Sequence, residues 1–392
     1  MTGASFIDVD LCQQAKHGQR VAGDVFLSRK FKEEGRVVSV LSDGLGSGVK
    51  ASVLANLTAT MALRYTAAFM DLRKSAQTIM DTLPICEQRR ISYSTFTIVD
   101  LDEDGHARVI EHGNPPLLVL RGTQPLAIEG VDVTLERWED RVIRYREFEA
   151  RLGDRIVFFS DGVNQSGMGR RDMPLGWGNE HVVRFLARQI GRQADIPAQE
   201  LSRRLLRQAL ENDGNQARDD ISCCVVHYRE PQRLLVATGP PYCQERDAEL
   251  AEVVRSFPGR KAICGGTTAT IVSRHLGRPV TLSLTELHPD TPPGSAMEGV
   301  DLVTEGTLTL ARTAEWLERP GREEPGRGHP VARLAALMLE SDIVEFVVGT
   351  RINEAHQDPR VPVELDLRRN IVRRLAATLE ARYLKETHVR FL

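Results

Sequence analysis

Four acidic positions at predicted strand ends are the residues of this sequence best placed for chemistry. They are Asp24, which follows Gly23, Asp43, which precedes Gly44, Asp161, which precedes Gly162, and either Asp219 or Asp220. Taken alone, an Asp beside a Gly at a strand end indicates a turn. If the four strands are neighbours, the carboxylates converge and form an oxygen-only site. Such a site suits Mg²⁺ or Mn²⁺ and disfavours zinc.

The stretch LSDGLGSG at residues 41–48 shows how such a position is built. It follows the run RVVSV at 36–40, which predicts a strand, and it precedes apolar residues at helical spacing over 49–70. The Asp43-Gly44 pair and two further glycines therefore set one carboxylate and several bare backbone groups at an exposed junction. The sequence FFSDG at 158–162 repeats this pattern.

Helices and strands of ordinary length must position these acids. The helix that begins at Val49 is predicted to bury its larger apolar residues, namely Val53, Leu54, Leu57, Met61, Leu63 and Ala67. A second helix is predicted over 72–83, where Pro84 would end it. Strands resume at Tyr93 with a hairpin turn at 103–105, and helices over 178–190 and 196–211 precede the strand DDISCCVVHY.

The composition excludes several classes of protein. The 392 residues include 51 Lys and Arg against 54 Asp and Glu, so no net positive charge attracts nucleic acid or an anionic membrane. The six cysteines form no CxxC pair, which argues against a zinc site or a disulfide framework. We find no signal-peptide pattern and no apolar run of membrane-spanning length, and we expect a cytoplasmic location.

In combination, the acidic motifs resemble those of the bacterial metal-dependent Ser/Thr protein phosphatases of the protein phosphatase 2C superfamily, in particular the SpoIIE and RsbU type. The matching motifs are GD at 23–24, SDGLGSG at 42–48, SDG at 160–162 and ARDDIS at 217–222, with GNPP at 113–116 as a further similarity. The resemblance covers residues 10–230. It implies an α+β fold, in which two antiparallel sheets flanked by helices form an αββα sandwich.

The resemblance also implies roles for single residues. Asp43 would bridge two Mn²⁺ or Mg²⁺ ions, and the Gly44 carbonyl would bind one of them. The remaining ligands would be Asp24, Asp161 and Asp219. We favour Asp219 over Asp220, because the position of Asp220 is Asn in many relatives, and we treat Asp220 as a neighbour.

The implied reaction is in-line attack of an activated water on phosphoserine or phosphothreonine, with no nucleophilic side chain. Two divalent ions would neutralise the phosphoryl oxygens and lower the pKa of the attacking water. Many eukaryotic relatives have a His where this sequence has Leu45, so the proton donor to the leaving oxygen is unassigned. His112 is a weak candidate, since a histidine at a strand end is more often structural.

Regulation and partners are implied by resemblance alone. In SpoIIE-like enzymes the helices after the DGxGSG loop act as a switch, and residues 50–87 are the matching segment. Relatives act on phosphorylated anti-sigma-factor antagonists or similar small proteins, so a phosphorylated regulatory protein is the expected substrate. A homodimer remains open.

A second domain is predicted from residue 231, after a first domain of residues 1–230. Strands over 233–239 and 261–264, with helices over 245–257 and 269–276, predict an α/β regulatory or ligand-binding domain. Between the second strand and helix lie Gly265, Gly266, Thr267 and Thr268. Such a turn can bind an anion or a small ligand at the helix N-terminus, or it can be a plain turn with a threonine cap.

An acidic segment follows in the second domain. It contains Glu286, His288, Asp290, Glu298, Asp301 and Glu305. These residues could bind a metal or close over a ligand near the glycine turn, although such loops more often carry solvated acids.

Two functions from different classes remain open at this point. The first is a phosphatase regulated by its C-terminal domain, which is supported by the retention of every matched ligand position. The second is a sensing or scaffold protein that binds a phosphoprotein without turnover.

Overall fold

The computed structural model describes residues 5–68, 78–79, 94–135, 138–282, 295–318, 328–351, 361–383 and 385–392. The chain divides into two compact units, Met1–Glu230 and Pro231–Leu392. In these described ranges, none of the helices is both long enough and apolar enough to span a bilayer.

The first unit contains two antiparallel sheets. One has the order β1-β11-β10-β6-β7, and the other has the order β2-β3-β4-β5-β9-β8. The strands are β1 (Phe6–Gln14), β2 (Val25–Phe31), β3 (Arg36–Gly44), β4 (Ser94–Asp102), β5 (His106–His112), β6 (Leu118–Arg121), β7 (Gln124–Leu126), β8 (Gly130–Leu135), β9 (Trp138–Glu149), β10 (Asp154–Phe159) and β11 (Ile221–Arg229).

Helices cover the outer faces of both sheets. The helices of this unit are α1 (Val49–Ala67), α2 (Asp161–Asn164), α3 (Asn179–Arg192) and α4 (Ala198–Asn212). Residues of α1 pack with Val38 and Val40 on one outer face, and α3 and α4 pack with Val157 and Val225 on the other. A third cluster, which includes Leu41, fills the space between the sheets. The predicted αββα sandwich is therefore confirmed.

The buried face of α1 differs from the prediction. Ala51, Ala55, Ala59 and Ala62 are buried together with two threonines, whereas Val53 is 61% exposed and Leu57 is 44% exposed. The small residues let the helix approach the sheet closely, and close approach decides the face more than the size of the apolar side chains does. The predicted stripe was wrong at Val53 and Leu57, whereas its members Met61 and Leu63 are partly buried and pack against the cluster beneath the helix. The predicted helix at 72–83 lies outside the described residues apart from 78–79, which are helical.

The second unit is an α/β domain, as predicted. Its sheet has the order β14-β15-β16-β13-β12-β17-β18. The strands are β12 (Arg233–Thr238), β13 (Arg260–Cys264), β14 (Thr281–Leu282), β15 (Ser295–Met297), β16 (Val300–Thr304), β17 (Ile343–Val348) and β18 (Glu386–Phe391). The helices are α5 (Asp247–Ser256), α6 (Gly266–Leu276), α7 (Thr307–Glu318), α8 (Pro330–Leu339) and α9 (Val361–Tyr383).

The five central strands of this sheet, from β16 to β18, are parallel. Buried residues of α7, α8 and α9 pack on one face, and those of α5 and α6 pack on the other. Helix α6 begins at Gly266, three residues before the predicted start, so the glycine-threonine turn forms its first turn. Strand β18 was missed because its sequence ETHVRF alternates polar and apolar residues and follows a long helix.

Candidate functional site

The pairing of β2 with β3 brings two of the predicted acids together. Val25 lies opposite Ser42 in this antiparallel pair, so Asp24 and Asp43 lie at the same end of the sheet. Along β3, Leu41 faces the space between the sheets. Because side chains alternate along a strand, Asp43 lies on the same face as Leu41, at the rim of that space.

The other sheet brings its acids to the same edge. Phe159 lies opposite Cys223 at the end of β10, so Asp161 follows one strand where Asp219 and Asp220 precede the other. The Ser222 hydroxyl donates to Asp24 Oδ2 at 2.6 Å. This bond crosses from one sheet to the other and joins the two pairs of strands. We refer to Asp24, Asp43, Asp161 and Asp219 as the carboxylate edge.

The carboxylate edge concentrates negative charge away from water. Asp24 is only 4% exposed. Burial raises the pKa of Asp24 to about 7, against hydrogen bonds from Ser222 and Ser160 that lower it. Burial also raises the pKa of Asp43 to about 9, and the charges of the other three carboxylates add to this effect. A hydrogen bond joins the Asp43 and Asp24 carboxyl groups. This hydrogen bond requires that one of the two carboxyl groups carries a proton, and a bound cation would favour the form in which both are ionised.

The other two members are more open to solvent. Burial, and next the charge of Asp219, raises the pKa of Asp161, while the Gln165 amide donates to Asp161 Oδ2 at 3.0 Å. The Asp219 side chain is 49% exposed, and Lys16 Nζ lies 3.8 Å from its Oδ1. A half-exposed ion pair of this kind contributes little to stability. Both carboxylates thus face the solvent-accessible side of the edge.

Asp220 has a structural role in this arrangement. Its Oδ2 accepts the Gly23 N–H at 2.7 Å, and its Oδ1 accepts the Lys16 N–H at 2.9 Å. Both oxygens are therefore engaged with the backbone that leads into β2. The choice of Asp219 as the ligand and of Asp220 as a neighbour stays a prediction.

The glycines beside the acids allow backbone segments to touch. A Cβ on Gly44 would lie 2.3 Å from the Ala51 carbonyl oxygen, and a Cβ on Gly162 would lie 2.2 Å from that of Asp220. A Cβ on Gly23 would meet Asp220 Oδ2 at 2.9 Å. The glycines in the GD and SDG motifs are thus needed for close packing, which holds the neighbouring carboxylates in place.

Several residues of the site escaped the sequence analysis. Ser222 and Ser160 hold Asp24, and the Ser94 hydroxyl donates to the Asp43 carbonyl at 3.0 Å. Lys16 contributes both its backbone and its charge. Two of the serines stand inside the quoted motifs SDG and ARDDIS, which was the available signal. Ser94 and Lys16 carry no motif.

The donor set suits a hard divalent cation, because it consists of carboxylate and carbonyl oxygens alone. Among the described residues, however, no three His, Cys, Asp or Glu side chains form a ready cluster for a metal ion. The four carboxylates act on one another electrostatically, yet the structure does not close them into a coordination shell.

His112 is not placed as a proton donor. It lies opposite Phe96 in the β4–β5 pair, and its ring contacts that of Phe96 in a tilted arrangement, with 5.6 Å between centroids. Phe96 belongs to the cluster packed against α1. The imidazole is therefore on the face of the sheet opposite to Asp43. The GNPP turn has a structural role, since Asn114 Nδ2 donates to Thr97 Oγ1 at 3.1 Å.

In the second unit, Gly265, Gly266, Thr267 and Thr268 line a cavity of about 490 Å³. Glu305 lines the same cavity, whereas Asp301 lies at the other end of β16 and accepts the Lys261 N–H at 2.7 Å. Asp301 and Glu305 therefore do not belong to one cluster. Glu286, His288 and Asp290 lie outside the described residues, and Glu298 stands in the turn before β16.

A family model described as stage II sporulation protein E (SpoIIE) matches residues 33–229, which is half of the chain. The chain belongs to the SpoIIE family. The matched segment contains Asp43, Asp161 and Asp219, and it ends with β11. The predicted resemblance to SpoIIE-type phosphatases is therefore confirmed at the level of the family.

Individual relatives are distant. Stage II sporulation protein E of Bacillus subtilis (strain 168) is 22% identical over 214 residues, which are 54% of this chain and 24% of that protein. This chain thus spans about a quarter of the length of its curated relative. The solved PP2C phosphatase domain of the Bacillus subtilis SpoIIE, with a fragment of its regulatory domain, is 20% identical with a TM-score of 0.49, covering 58% of this chain and 63% of that one. The RsbU and RsbW domains of a Mycobacterium tuberculosis protein are 18% identical with a TM-score of 0.46, covering 64% and 68%.

Proposed function

We propose that the first unit is a metal-dependent phosphatase that removes phosphate from serine or threonine of a regulatory phosphoprotein. The observation that carries this proposal is the carboxylate edge, in which acids from four strand ends of two sheets lie within electrostatic range of one another. A bound divalent cation would stabilise the ionised form of these carboxyl groups, which burial and mutual repulsion otherwise disfavour. Membership of the SpoIIE family supports the same assignment.

The residues that would hold Mn²⁺ or Mg²⁺ are Asp24, Asp43, Asp161, Asp219 and the carbonyl of Gly44. When bound, two such ions would supply positive charge to the phosphoryl oxygens and an activated water for in-line attack. The protein provides the rigid frame for this chemistry. Ser222 orients Asp24 from the opposite sheet, and Asp220 ties the backbone before β2 to the start of β11.

Neither of the two described positions considered for it, Leu45 and His112, supplies an acid for the leaving oxygen. Leu45 has no proton to donate, and His112 lies on the opposite face of its sheet. We infer that the serine or threonine oxygen takes its proton from solvent, which reaches the half-exposed Asp219 side of the edge. The second unit is assigned a regulatory role in this proposal.

The test is hydrolysis of a phosphoserine peptide and of p-nitrophenyl phosphate with added Mn²⁺. Wild-type protein should be active, EDTA should abolish the activity, and Asp43→Asn should lower kcat/KM by on the order of 10²–10³-fold, because Asp43 is the central carboxylate. Asp132→Asn is the matched control. Asp132 is an exposed acid that pairs with Arg144 and does not belong to the carboxylate edge. It should retain wild-type activity.

Two outcomes would overturn the proposal. If Asp43→Asn is as active as wild type, the carboxylate edge is not the catalytic site. If the wild-type protein has no metal-dependent activity with any phosphopeptide, the alternative of a non-catalytic sensor or scaffold is favoured. The natural substrate, which we expect to be a small phosphoprotein of the anti-sigma-factor-antagonist type, would be identified by co-purification and mapping of the dephosphorylated site.

A further inference from the structure

The cavity of the second unit lies beyond the ends of three parallel strands. Strands β12, β13 and β16 end at Thr238, Cys264 and Thr304, and the cavity of about 490 Å³ opens there. Strands β13 and β16 lie on one side of β12, and β17 lies on the other. The chain order therefore reverses at β12, which is where open α/β sheets bind ligands. The volume is in the range of small-molecule sites.

Two helix N-termini meet at this cavity. The first intrahelical bond of α6 runs from the Ala269 N–H to the Gly265 carbonyl, and that of α7 runs from Leu310 to Gly306. The three N–H groups before each of these bonds therefore have no hydrogen-bond partner within their own helix. A Cβ on Gly306 would lie 3.3 Å from Gly265 Cα, so the two turns are in contact. Two adjacent N-termini direct positive partial charge at one place, where an anion is favoured.

Two buried hydroxyl groups independently indicate a ligand. Thr238 and Thr268 are each 1% exposed and line the cavity. Neither Oγ1 atom has a hydrogen-bond partner among the described residues. A buried hydroxyl without a partner destabilises the fold, so its retention is explained if a ligand oxygen accepts from it.

Two charged residues define the ligand further. Arg368 lines the cavity, with its guanidinium close against Gly239, where a Cβ would lie 2.6 Å from Nη1. Glu305 also lines it, and within the described residues its buried Oε2 has no partner. A carboxylate accepts hydrogen bonds and donates none. A ligand that satisfies both residues must carry an anionic group and a hydrogen-bond donor.

We propose that this cavity binds a phosphate monoester of a hydroxyl-bearing small molecule, such as a sugar phosphate or a nucleotide. The phosphate lies at the joined N-termini of α6 and α7, where Thr268 and Arg368 contact it. The hydroxyl groups of the ligand donate to Glu305. This site is independent of the proposed phosphatase activity and is tested without it.

The test is calorimetric titration of the full-length protein with inorganic phosphate, ribose 5-phosphate, AMP and GMP, and with ribose and adenosine as phosphate-free probes. At least one of the three monoesters should bind with a Kd below 1 mM, about tenfold or more tighter than inorganic phosphate, because it also reaches Glu305. The phosphate-free probes should not bind. The preferred monoester distinguishes a sugar phosphate from a nucleotide. Absence of binding by all three monoesters would overturn the proposal.

Variants locate the binding. Arg368→Gln should weaken the best monoester by about tenfold or more, which corresponds to loss of one charge-assisted contact. Arg373→Gln is the matched control, since Arg373 is exposed on the same helix and does not line the cavity. Equal affinities of the two variants would contradict the assignment.

The threonine and glutamate variants test the two halves of the ligand separately. Thr268→Val should weaken both inorganic phosphate and the monoester while leaving the protein folded, whereas Thr270→Val, at a hydroxyl bonded to the Gly266 carbonyl, should not. Glu305→Gln should weaken the monoester but not inorganic phosphate. If Glu305→Gln weakens neither, or Thr268→Val leaves both unchanged, the proposed orientation is wrong.

Discussion

The carboxylate edge of the first unit and the cavity of the second unit bring together groups of opposite charge. The edge gathers side-chain charge, since Asp24, Asp43, Asp161 and Asp219 come from four strand ends of two antiparallel sheets. The cavity gathers backbone dipoles, since its anion site is formed by the first turns of two helices after parallel strands. We therefore propose a cation for the first arrangement and an anion for the second.

The two sites also differ in how far apart in the sequence the residues that form them lie. The cavity depends on local segments, such as the strand-glycine-helix run from Cys264 to Thr268. The edge depends on contacts between distant segments, such as the Ser222 bond to Asp24, which joins residues 198 positions apart. Disturbing a backbone contact should therefore damage the first site through the fold, whereas side-chain changes at the second site should alter ligand binding while the domain stays folded.

The largest expected effect is on the packing of the carboxylate edge. Gly162→Ala places a Cβ about 2.2 Å from the Asp220 carbonyl oxygen, so we expect a loss of about 2–4 kcal/mol in the free energy of unfolding. Gly191→Ala is the matched control inside α3, where the new Cβ would have only an ordinary 3.4 Å contact. It should stabilise the protein by up to about 1 kcal/mol. Urea denaturation of both variants decides the point, and equal stability would show that the contact at Gly162 is not needed.

The next effect concerns how the stability of the first unit depends on pH. It separates the contribution of a buried histidine from that of the carboxylate edge. Burial, with the nearby charges of Arg155 and Arg229, lowers the pKa of His227 to about 3. An unfolded histidine has a pKa near 6.5 and takes up a proton below it. Because the folded pKa is depressed, this contribution to stability is complete above pH 6.5 and falls as the pH decreases from 6.5 toward 3.

The expected loss from His227 is about 2 kcal/mol between pH 7.5 and pH 5. His227→Gln should remove this part of the pH dependence, which urea denaturation at the two pH values measures. His17→Gln changes an exposed histidine in the same unit and should leave the dependence unchanged. An identical slope for wild type and His227→Gln would show that His227 is not responsible.

The smallest effect concerns the unpartnered hydroxyls of the cavity. In the protein without added ligand, Thr238→Val should raise the free energy of unfolding by about 1 kcal/mol, because it removes a buried hydroxyl that lacks a partner among the described residues. Thr313→Val is the opposite case, since the buried Thr313 hydroxyl donates to the Thr309 carbonyl at 2.8 Å. This substitution should lower the free energy of unfolding by about 1 kcal/mol. If Thr238→Val does not raise the free energy of unfolding, the Thr238 hydroxyl already has a hydrogen-bond partner.

The sandwich was predicted through the family resemblance of the acidic motifs. The acid positions were predicted from strand periodicity and the repeated Ser-Asp-Gly pattern, which are local signals. Asp43 lies at the end of the buried strand β3, and Asp161 follows the buried strand β10, as expected. The buried face of α1 was mispredicted, since apolar size favours Val53 and Leu57 while the sheet accepts only the small residues of the helix.

Contacts between distant residues could not be read from local patterns. The engagement of Asp220 by the backbone of Gly23 and Lys16 depends on the register of three strands. In the second unit, the motif GGTT was visible, but the second helix N-terminus at Gly306 and the presence of Glu305 and Arg368 in the lining of the same cavity required the fold. In each site, the features formed by residues adjacent in the sequence were predictable. The contacts between distant residues were not.

The central claim is that the carboxylate edge holds divalent cations, and titration of Mn²⁺ into the metal-free protein tests it most directly. The proposal predicts two Mn²⁺ ions bound per wild-type chain, with at least one lost in Asp43→Asn and both retained in the control Asp132→Asn. Failure of the wild-type protein to bind Mn²⁺, or unchanged binding by Asp43→Asn, would contradict it.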